Sequence, residues 1–377
     1  MTDHLREADK SRESSAAAEP EKDEASFTSS HTSNFPDLLR QLGCSLLVST
    51  YQAGRLILVR PDGPALNTHF RCFHSPMGIA YQSETGRLAI GTKQEIWRFR
   101  DQPAVSARCE PPGRHDAVFL PRQRTCTGDI RIHEIAWIES ELWAVNTRFS
   151  CLCTFDAEHS FTPVWQPHFI SSLAPEDRCH LNGFAIVDGR PKYVSCLGLT
   201  DTAGGWRANK AAGGALLDIE SHETVLQGLS MPHSPRLYAG RHWILESGHG
   251  SLSTFDPERG TTEIVTKMPG FTRGLDFFGN FAFIGLSQVR ETAIFNNLPF
   301  METTPERMCG VWVVNIQTGQ IVAFLRFEGI VQEIFSVTVL PGLLYPELIN
   351  EPGDLLDHSF VLPDQALAQV PQNLRAP

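Results

Sequence analysis

The sequence predicts an all-β fold, a six-bladed β-propeller closed by pairing N-terminal strands with the C-terminal blade. Three observations predict it: short apolar runs of strand length, one signature that recurs six times, and few stretches with helical periodicity. Apolar runs of about four to eight residues, bounded by Gly, Pro, Asp and Asn, are typical of strands. Self-similarity at a period of tens of residues is typical of repeat architectures.

The apolar runs extend from about Ser45 to Leu344, after a segment, Pro36–Leu42, that predicts a helix of one or two turns. In chain order they include SLLVSTY, RLILVR, RLAIGT, EIWRF, ELWAVN, HWILES, FAFIGL and VWVVNI. Each is long enough for one strand. None reaches the roughly 18 consecutive apolar residues of a membrane-spanning helix.

The repeated signature is a polar residue, often His, followed by Gly or Glu and an apolar strand. Its copies are HSPMGIAY, IHEIAWI, HLNGFAIV, HSPRLYA, TRGLDFF and QEIFSVTV. Aligned on the residue before each apolar run, the anchors are Gly78, Glu134, Gly183, Arg236, Gly274 and Glu333. They lie 56, 49, 53, 38 and 59 residues apart, a mean of 51, which suits one four-stranded blade with its loops. The copies therefore predict six inner strands.

A second signature, a strand that closes on Asp or Asn before a turn, predicts outer strands. It occurs in SCLCTFDAEHS, GALLDIESHE, SLSTFDPERG and VWVVNIQTGQ. The unit that begins at Glu333 has room for about two strands, and SLLVSTYQAGRLILVRPDG supplies two more. We expect this N-terminal pair to complete the sixth blade, because closing the ring protects sheet edges. A β-sandwich or two barrels are the alternative folds.

The propeller is expected to span residues 35–348. Residues 1–34 are rich in Ser, Glu, Ala and Asp and nearly free of aromatic residues, which predicts a disordered acidic tail. Residues 349–377 contain four prolines and are expected to form a C-terminal tail that wraps the surface or stays loose.

The net charge of −11 argues against a nucleic-acid partner, since binding phosphates needs a basic face. It also disfavours electrostatic attachment to a membrane. The nine cysteines form no CxxC pair, and no secretory signal begins the sequence. These features predict reduced thiols and a cytoplasmic protein.

Histidines recur beside the predicted inner strands, where loops of a propeller meet at one face of the channel. They are His74, His133, His180 and His233. Imidazole is the commonest protein ligand for zinc, copper and iron, so these residues predict a divalent transition metal: zinc, iron or copper. The alternative is that each imidazole only hydrogen-bonds to a neighbouring blade.

Charged and polar residues at the same face are the candidates for catalysis and substrate binding. Glu333 or Glu134 would act as acid or base, and Arg273 would bind an anionic group or stabilise negative charge. The candidate substrate-binding residues are Arg148, Asn182, Trp206, Arg207 and His249. Trp206 and Arg207 lie in the long loop LTDTAGGWRANKAAGGAL, and a loop of this length is often a lid or binding element.

At HSPMGIAY, HLNGFAIV and GLTDTAGGWRANKAAGG the chain resembles a bacterial family of conserved hypothetical proteins, over most of residues 35–348. More distantly it is similar to six-bladed propellers of the gluconolactonase, strictosidine synthase and NHL-repeat type. That resemblance implies metal-dependent hydrolases, lyases or binding modules. The chain has His where the calcium-binding members favour carboxylates and amides, and fold alone does not give function.

The leading functional hypothesis is a metal-dependent enzyme, a hydrolase, lyase or oxidoreductase, that acts on a small-molecule or peptide substrate at the channel mouth. The alternative is a non-catalytic propeller that binds a protein or sugar partner on the same face, with Trp206 in an aromatic rim. A calcium-dependent hydrolase is a third possibility, but Asn182 and Glu333 offer fewer oxygen ligands than calcium prefers.

Overall fold

Short antiparallel strands account for most of the regular structure in the computed structural model, which describes residues 27–288, 298–300 and 308–375. The strands are β1 (Ser29–His31), β2 (Cys44–Ser49), β3 (Arg55–Asp62), β4 (Ala65–Cys72), β5 (Ile79–Gln82), β6 (Arg87–Gly91), β7 (Glu95–Asp101), β8 (Val118–Cys126), β9 (Ile132–Ile138), β10 (Glu141–Asn146), β11 (Cys151–Thr154), β12 (Thr162–Trp165), β13 (Leu181–Val187), β14 (Arg190–Cys196), β15 (Gly214–Asp218), β16 (Thr224–Leu229), β17 (Pro232–Tyr238), β18 (Arg241–Glu246), β19 (Ser251–Asp256), β20 (Thr261–Lys267), β21 (Phe271–Phe278), β22 (Phe281–Ser287), β23 (Cys309–Asn315), β24 (Ile321–Phe327), β25 (Ser336–Pro341) and β26 (Glu347–Leu348).

Helices are few and short. They are α1 (Phe35–Leu42), α2 (Pro103–Ser106), α3 (Asp354–Asp357) and α4 (Asp364–Leu367), with 3-10 turns at Tyr51–Ala53, Gly205–Asn209 and Gln372–Leu374. The first begins with a proline in its first turn and ends at Gly43, whose φ of +65° allows the left-handed termination. None of the helices in the described ranges has the length and apolar character needed to cross a membrane.

Six sheets are arranged as the blades of a propeller, which confirms the predicted fold class. Blade 1 is β5–β8 with β26 at its outer edge, and blades 2, 3 and 4 are β9–β12, β13–β16 and β17–β20. Blade 5 is β21–β24 with β1 at its outer edge, and blade 6 combines β25 with β2, β3 and β4. Consecutive inner strands contact one another around the whole circle, so the ring is closed.

All six signatures of the sequence lie at the beginning of an inner strand, as predicted. Inner strands pack so closely near the axis that some positions tolerate no side chain. At Gly274, a Cβ atom would lie 2.7 Å from the backbone nitrogen of Val337 and 2.9 Å from the Cα of Ser336 in the next blade. The glycines of the signature therefore mark where neighbouring inner strands touch.

The ring is closed by N-terminal strands, as predicted, but three of them take part rather than two. In blade 6, β25 is the innermost strand and pairs with β2, while β3 and β4 complete the sheet. The sequence did not indicate β4, because ALNTHFRC is a half-buried outer strand without an apolar run. The sequence also predicted about two strands from the C-terminal part of the chain in this blade, whereas only β25 comes from there.

Segments outside the six blades extend two sheets. Strand β1 pairs with β24 of blade 5, so strand pairing begins upstream of residue 35. The part of the expected disordered tail that covers residues 1–26 lies outside the described residues. Downstream, β26 pairs in parallel with β8, and Ile349 and Leu355 pack against the apolar cluster around Val105.

The core consists of the apolar layers between adjacent blades. The largest side chains without solvent exposure include Trp243, Phe283 and Phe119, which belong to three different clusters. Since each blade buries both of its faces against its neighbours, the framework around the axis is fixed by packing on all sides.

Candidate functional site

A cavity of about 320 Å³ opens at the end of the channel where the inner strands begin. We call it the mouth pocket. Its walls combine aromatic and methionine side chains with arginines, histidines and one glutamate. The lining residues are Tyr51, Met77, Arg131, His133, His180, Leu197, Trp206, Arg207, Met231, His233, Phe271, Arg273, Glu333 and Phe335.

The side chains around the axis form two layers, two residues apart along each inner strand. The outer layer includes Arg131, His180, Met231, Phe271 and Glu333, with Ser75 at the equivalent chain position of blade 1, and the inner layer includes Met77, His133, Asn182, His233, Arg273 and Phe335. The equivalence of Ser75, Arg131, His180 and Met231 is visible in their backbones, because each has φ between +47° and +53°. His180 therefore belongs to the outer layer, whereas His133 and His233 belong to the inner layer.

His133 has one ring nitrogen fixed by the neighbouring backbone. Its Nδ1 lies 3.1 Å from the carbonyl oxygen of Arg131 and 2.8 Å from the hydroxyl of Thr147. That hydroxyl donates its own proton to the carbonyl oxygen of Leu181 in blade 3. Because a carbonyl only accepts, Nδ1 must carry the proton, and Nε2 of His133 is left with its lone pair.

His233 repeats the same arrangement two blades further on. Its Nδ1 lies 2.9 Å from the carbonyl oxygen of Met231 and 2.8 Å from the hydroxyl of Ser247, which donates to the carbonyl oxygen of Thr272. No described residue hydrogen-bonds to Nε2 of either His133 or His233. Two imidazoles with a fixed tautomer thus offer lone pairs at the axis.

Burial, reinforced by the positive charge of Arg273, lowers the pKa of both His133 and His233 well below 6.5. Burial disfavours the imidazolium because a charge loses its hydration there, and the guanidinium repels it. At neutral pH both rings are therefore uncharged hydrogen-bond acceptors.

This depressed pKa predicts loss of stability in acid. Below about pH 6.5 these histidines are protonated in the unfolded chain but remain neutral in the folded protein. The free energy of unfolding therefore falls by up to about 1.4 kcal/mol per pH unit for each group. His233→Asn keeps an amide donor near the Nδ1 position and should lose part of this slope between pH 6.5 and 5. Urea unfolding at a series of pH values measures it, with His249→Asn, at an exposed ring, as control. A slope identical in His233→Asn and wild type would contradict the prediction.

His180 is held by a carboxylate. Its Nδ1 lies 2.8 Å from Oδ1 of Asp177, and Oδ2 of the same carboxylate accepts a hydrogen bond of 2.9 Å from Arg131. The His180 ring stacks obliquely on Trp206 at 4.3 Å and meets the edge of His133 at 4.8 Å between centroids. An Asp–His pair of this kind fixes the imidazole orientation and stabilises the imidazolium that forms when Nε2 accepts a proton.

Arg273 supplies a buried positive charge to the inner layer. Its guanidinium lies 3.6 Å from the ring centroid of Phe335 and donates a hydrogen bond of 3.1 Å to Oε1 of Glu333. Burial lowers the pKa of Arg273, and the nearby Glu333 carboxylate opposes that shift. The predicted pair Arg273 and Glu333 is thus brought together at the mouth pocket, as an ion pair.

Glu134 lies on the other side of the inner layer, in a channel cavity of about 470 Å³ that does not include the outer layer. It forms an ion pair with Arg236, and burial raises its pKa, which the Arg236 charge opposes. The sequence placed Glu134 with the mouth residues, but it follows His133 directly and so points to a different side of the strand.

Four other predicted residues do not line the mouth pocket. Asn182 joins blades, since its amide donates to the carbonyl oxygen of Pro232 at 2.8 Å and accepts from Ser195 at 2.6 Å. His74 is exposed, Arg148 forms an ion pair with Asp129 at 2.6 Å, and His249 is 39% exposed beside Glu246. The four histidines therefore do not occupy matching positions.

Several residues of the site, in the lining of the pocket or behind it, were not found from the sequence. Asp177 stands three residues before His180, and its role depends on a loop with φ of +51° that no local pattern indicates. Phe335 lines the pocket from the C-terminal part of the chain, just before β25. One signal was available: His133 and Thr147, like His233 and Ser247, are 14 residues apart.

Among the residues that the structure describes, no group of three or more His, Cys, Asp or Glu side chains is arranged to hold a metal ion. His133 and His180 are adjacent, but both Nδ1 atoms are committed to protein partners.

Comparison with known proteins supports the fold and names a family. The family described as a domain of unknown function, DUF4915, matches residues 33–349. No curated protein matches the sequence. A chain in the crystal structure of a nidogen/laminin complex is similar, with a TM-score of 0.52 and 9% sequence identity over 79% of this chain and 99% of that chain. At this identity the likeness shows the fold alone.

Proposed function

The chain belongs to the DUF4915 family, and we propose that its mouth pocket binds a small organic anion and transforms it by acid–base chemistry. The observation that carries this proposal is the Asp177–His180 pair, with a second, uncharged imidazole, His133, 4.8 Å away between ring centroids. Both rings line one cavity. The resemblance to a family without an assigned activity is confirmed, so the activity has to come from the site.

The size and charge of the pocket favour a small anion with an apolar part. A volume of about 320 Å³ is at the lower end for small-molecule sites. Three guanidinium groups line it, those of Arg131, Arg207 and Arg273, against the carboxylates of Asp177 and Glu333. Among these arginines and carboxylates one positive charge is in excess, and the aromatic walls would contact the apolar part of a ligand.

Proton transfer is assigned to His180. Because Asp177 accepts the hydrogen bond from Nδ1, Nε2 is the atom available to a substrate, and no described residue hydrogen-bonds to it. Nε2 of His133 would accept a hydrogen bond from a substrate hydroxyl or amine and orient it. Arg207 would bind a carboxylate of the substrate at the outer edge of the pocket.

Metal-dependent chemistry, expected from the four histidines, stays a prediction. The described side chains do not form a metal-binding group of three, so we derive no step through a metal. Elemental analysis of the purified protein tests this directly, and a stoichiometric transition metal that is lost in His180→Gln would favour it over acid–base chemistry.

The proposal predicts that carboxylates bind and their amides do not. Phenylacetate should raise the melting temperature and bind in calorimetry, whereas phenylacetamide of nearly equal shape should not, because it lacks the charge that the arginines recognise. Arg207→Gln should weaken phenylacetate binding by roughly three- to tenfold, the effect expected for a half-exposed charge. Arg207 is 45% exposed, so this substitution leaves the core intact.

Arg178→Gln is the matched control, since Arg178 forms ion pairs with Glu176 and Asp201 outside the lining of the pocket. Equal binding of acid and amide would refute the anion assignment. To separate an enzyme from a binding module, a pool of small carboxylic acids is incubated with wild type and His180→Gln and followed by proton NMR. If wild type binds a carboxylic acid but consumes none of the pool, the protein is a non-catalytic binding module rather than an enzyme for these acids.

A further inference from the structure

Blade 1 carries three arginines on one face of its sheet. Arg87 of β6 is directly opposite Arg100 of β7, and Arg98 lies two residues before Arg100 on the same strand. Directly opposed residues, and residues two apart, share one face of a sheet. The three guanidinium groups therefore point to the same side, toward blade 2, where Arg87 and Arg98 each lie 5.8 Å from the ring centroid of Trp137.

No carboxylate balances this arginine cluster among the described residues. Two less exposed arginines behave differently, since Arg60 is paired with Glu347 and Arg273 with Glu333. None of the ion pairs in the described part of the chain includes Arg87, Arg98 or Arg100. Like charges opposed across strands destabilise a sheet, and this arrangement occurs in a chain of net charge −11.

Two buried donors in the cluster lack an acceptor. Nε of Arg98 and Nε1 of Trp137 are both inaccessible to solvent and without a hydrogen-bond partner. Arg98 donates only from Nη1, to the side-chain oxygen of Gln123 at 3.2 Å. Burial and the neighbouring Arg87 lower the pKa of Arg98. A buried unsatisfied donor is costly, so the arginine cluster combines uncompensated positive charge with too few acceptors.

We propose that Arg87, Arg98 and Arg100 bind the phosphate group of a phosphate monoester. A phosphate carries close to two negative charges and several acceptor oxygens, which matches three guanidinium groups. A carboxylate would balance only one of the three charges. The site is separate from the mouth pocket, because β6 begins and β7 ends at the face of the propeller opposite the beginnings of the inner strands.

The test is thermal unfolding of the full chain with inorganic phosphate, compared with chloride at equal ionic strength. Phosphate should raise the melting temperature and chloride should not, because a ligand that binds only the folded state stabilises it. Glycerol phosphate and a phosphoserine peptide then distinguish the sources. Tighter binding of glycerol phosphate would indicate a small phosphate ester as the ligand. Tighter binding of the phosphoserine peptide would indicate a phosphorylated protein. Either result supports the site.

Arg100→Gln gives the sharpest comparison, since Arg100 is exposed and its substitution should not prevent folding. Without phosphate this variant should be at least as stable as wild type, because a repulsion is removed. With phosphate it should bind roughly tenfold more weakly or worse. A merely structural arginine would not show opposite effects in the two conditions.

Arg241→Gln is the control, because Arg241 lies 4.7 Å from the ring of Trp243 in another blade, without an ion pair in the described residues. It should keep the wild-type response to phosphate. Equal stabilisation by acetate and phosphate, or an unchanged phosphate response in Arg100→Gln, would overturn the proposal. Neither result would bear on the mouth pocket.

Discussion

Replacing Glu347 by glutamine is expected to lower the free energy of unfolding by about 3–5 kcal/mol, the usual cost of leaving a buried charge unpaired. Glu347 is 5% exposed and lies 2.9 Å from Nη2 of Arg71 and 3.4 Å from Nη1 of Arg60. Arg60 is itself only 3% exposed. The two arginines belong to blade 6, while the β26 backbone that carries Glu347 pairs with β8 of blade 1. The carboxylate therefore joins the outer part of blade 6 to the outer edge of blade 1.

Chemical denaturation measures this effect, and Glu328→Gln is the matched control. Glu328 forms an ion pair of 2.8 Å with Arg326, but its side chain is 46% exposed. Exposed pairs of this kind contribute about 0–1 kcal/mol, because water and salt screen them. Similar losses in the two variants would contradict the prediction, because Glu347 would then contribute no more to stability than an exposed surface charge.

The six-bladed architecture could be predicted from the sequence because the features that indicate it are local in the chain. An inner strand buried between two blades needs an apolar run, and close contact at the axis needs Gly at positions such as Gly78, Gly183 and Gly274. Both features repeat with each blade. The outer strand β4 lacks this signal because one of its edges has no partner strand and few of its side chains are buried.

The site was less accessible because the equivalence of positions depends on backbone irregularities. Strand β17 contains a register shift between His233 and Arg236. Because of this shift, the signature copy HSPRLYA is out of step with the other copies. The signature therefore placed His180 and His233 in one layer, although they are one layer apart. Asp177 was missed because its contact with His180 depends on the conformation of a loop. The sequence therefore identified the histidines near the axis, but it did not show which of the two layers each one belongs to.

Replacing Trp206 by alanine is the second change from which we expect a large effect, a loss of about 3–5 kcal/mol of unfolding free energy. The sequence singled out Trp206 as a ligand contact, but it is only 4% exposed and packs with Met231, Phe271 and Phe300. The fit is close, since a Cβ on Gly198 would lie 2.9 Å from the Cα of Trp206. Trp206 is therefore a wall of the mouth pocket as well as a candidate contact.

Trp206→Phe separates these two roles. It keeps most of the apolar contact and should cost less than about 1.5 kcal/mol, but it removes Nε1, a buried donor without an acceptor among the described residues. If the indole N–H binds the ligand, Trp206→Phe should weaken phenylacetate binding while remaining folded. Leu199→Ala, at a 42% exposed position of the same loop, should alter neither quantity. Full stability and unchanged binding in Trp206→Ala would mean that this loop neither supports nor completes the pocket, and the boundary of the ligand site would then have to be redrawn around His180 and Arg273.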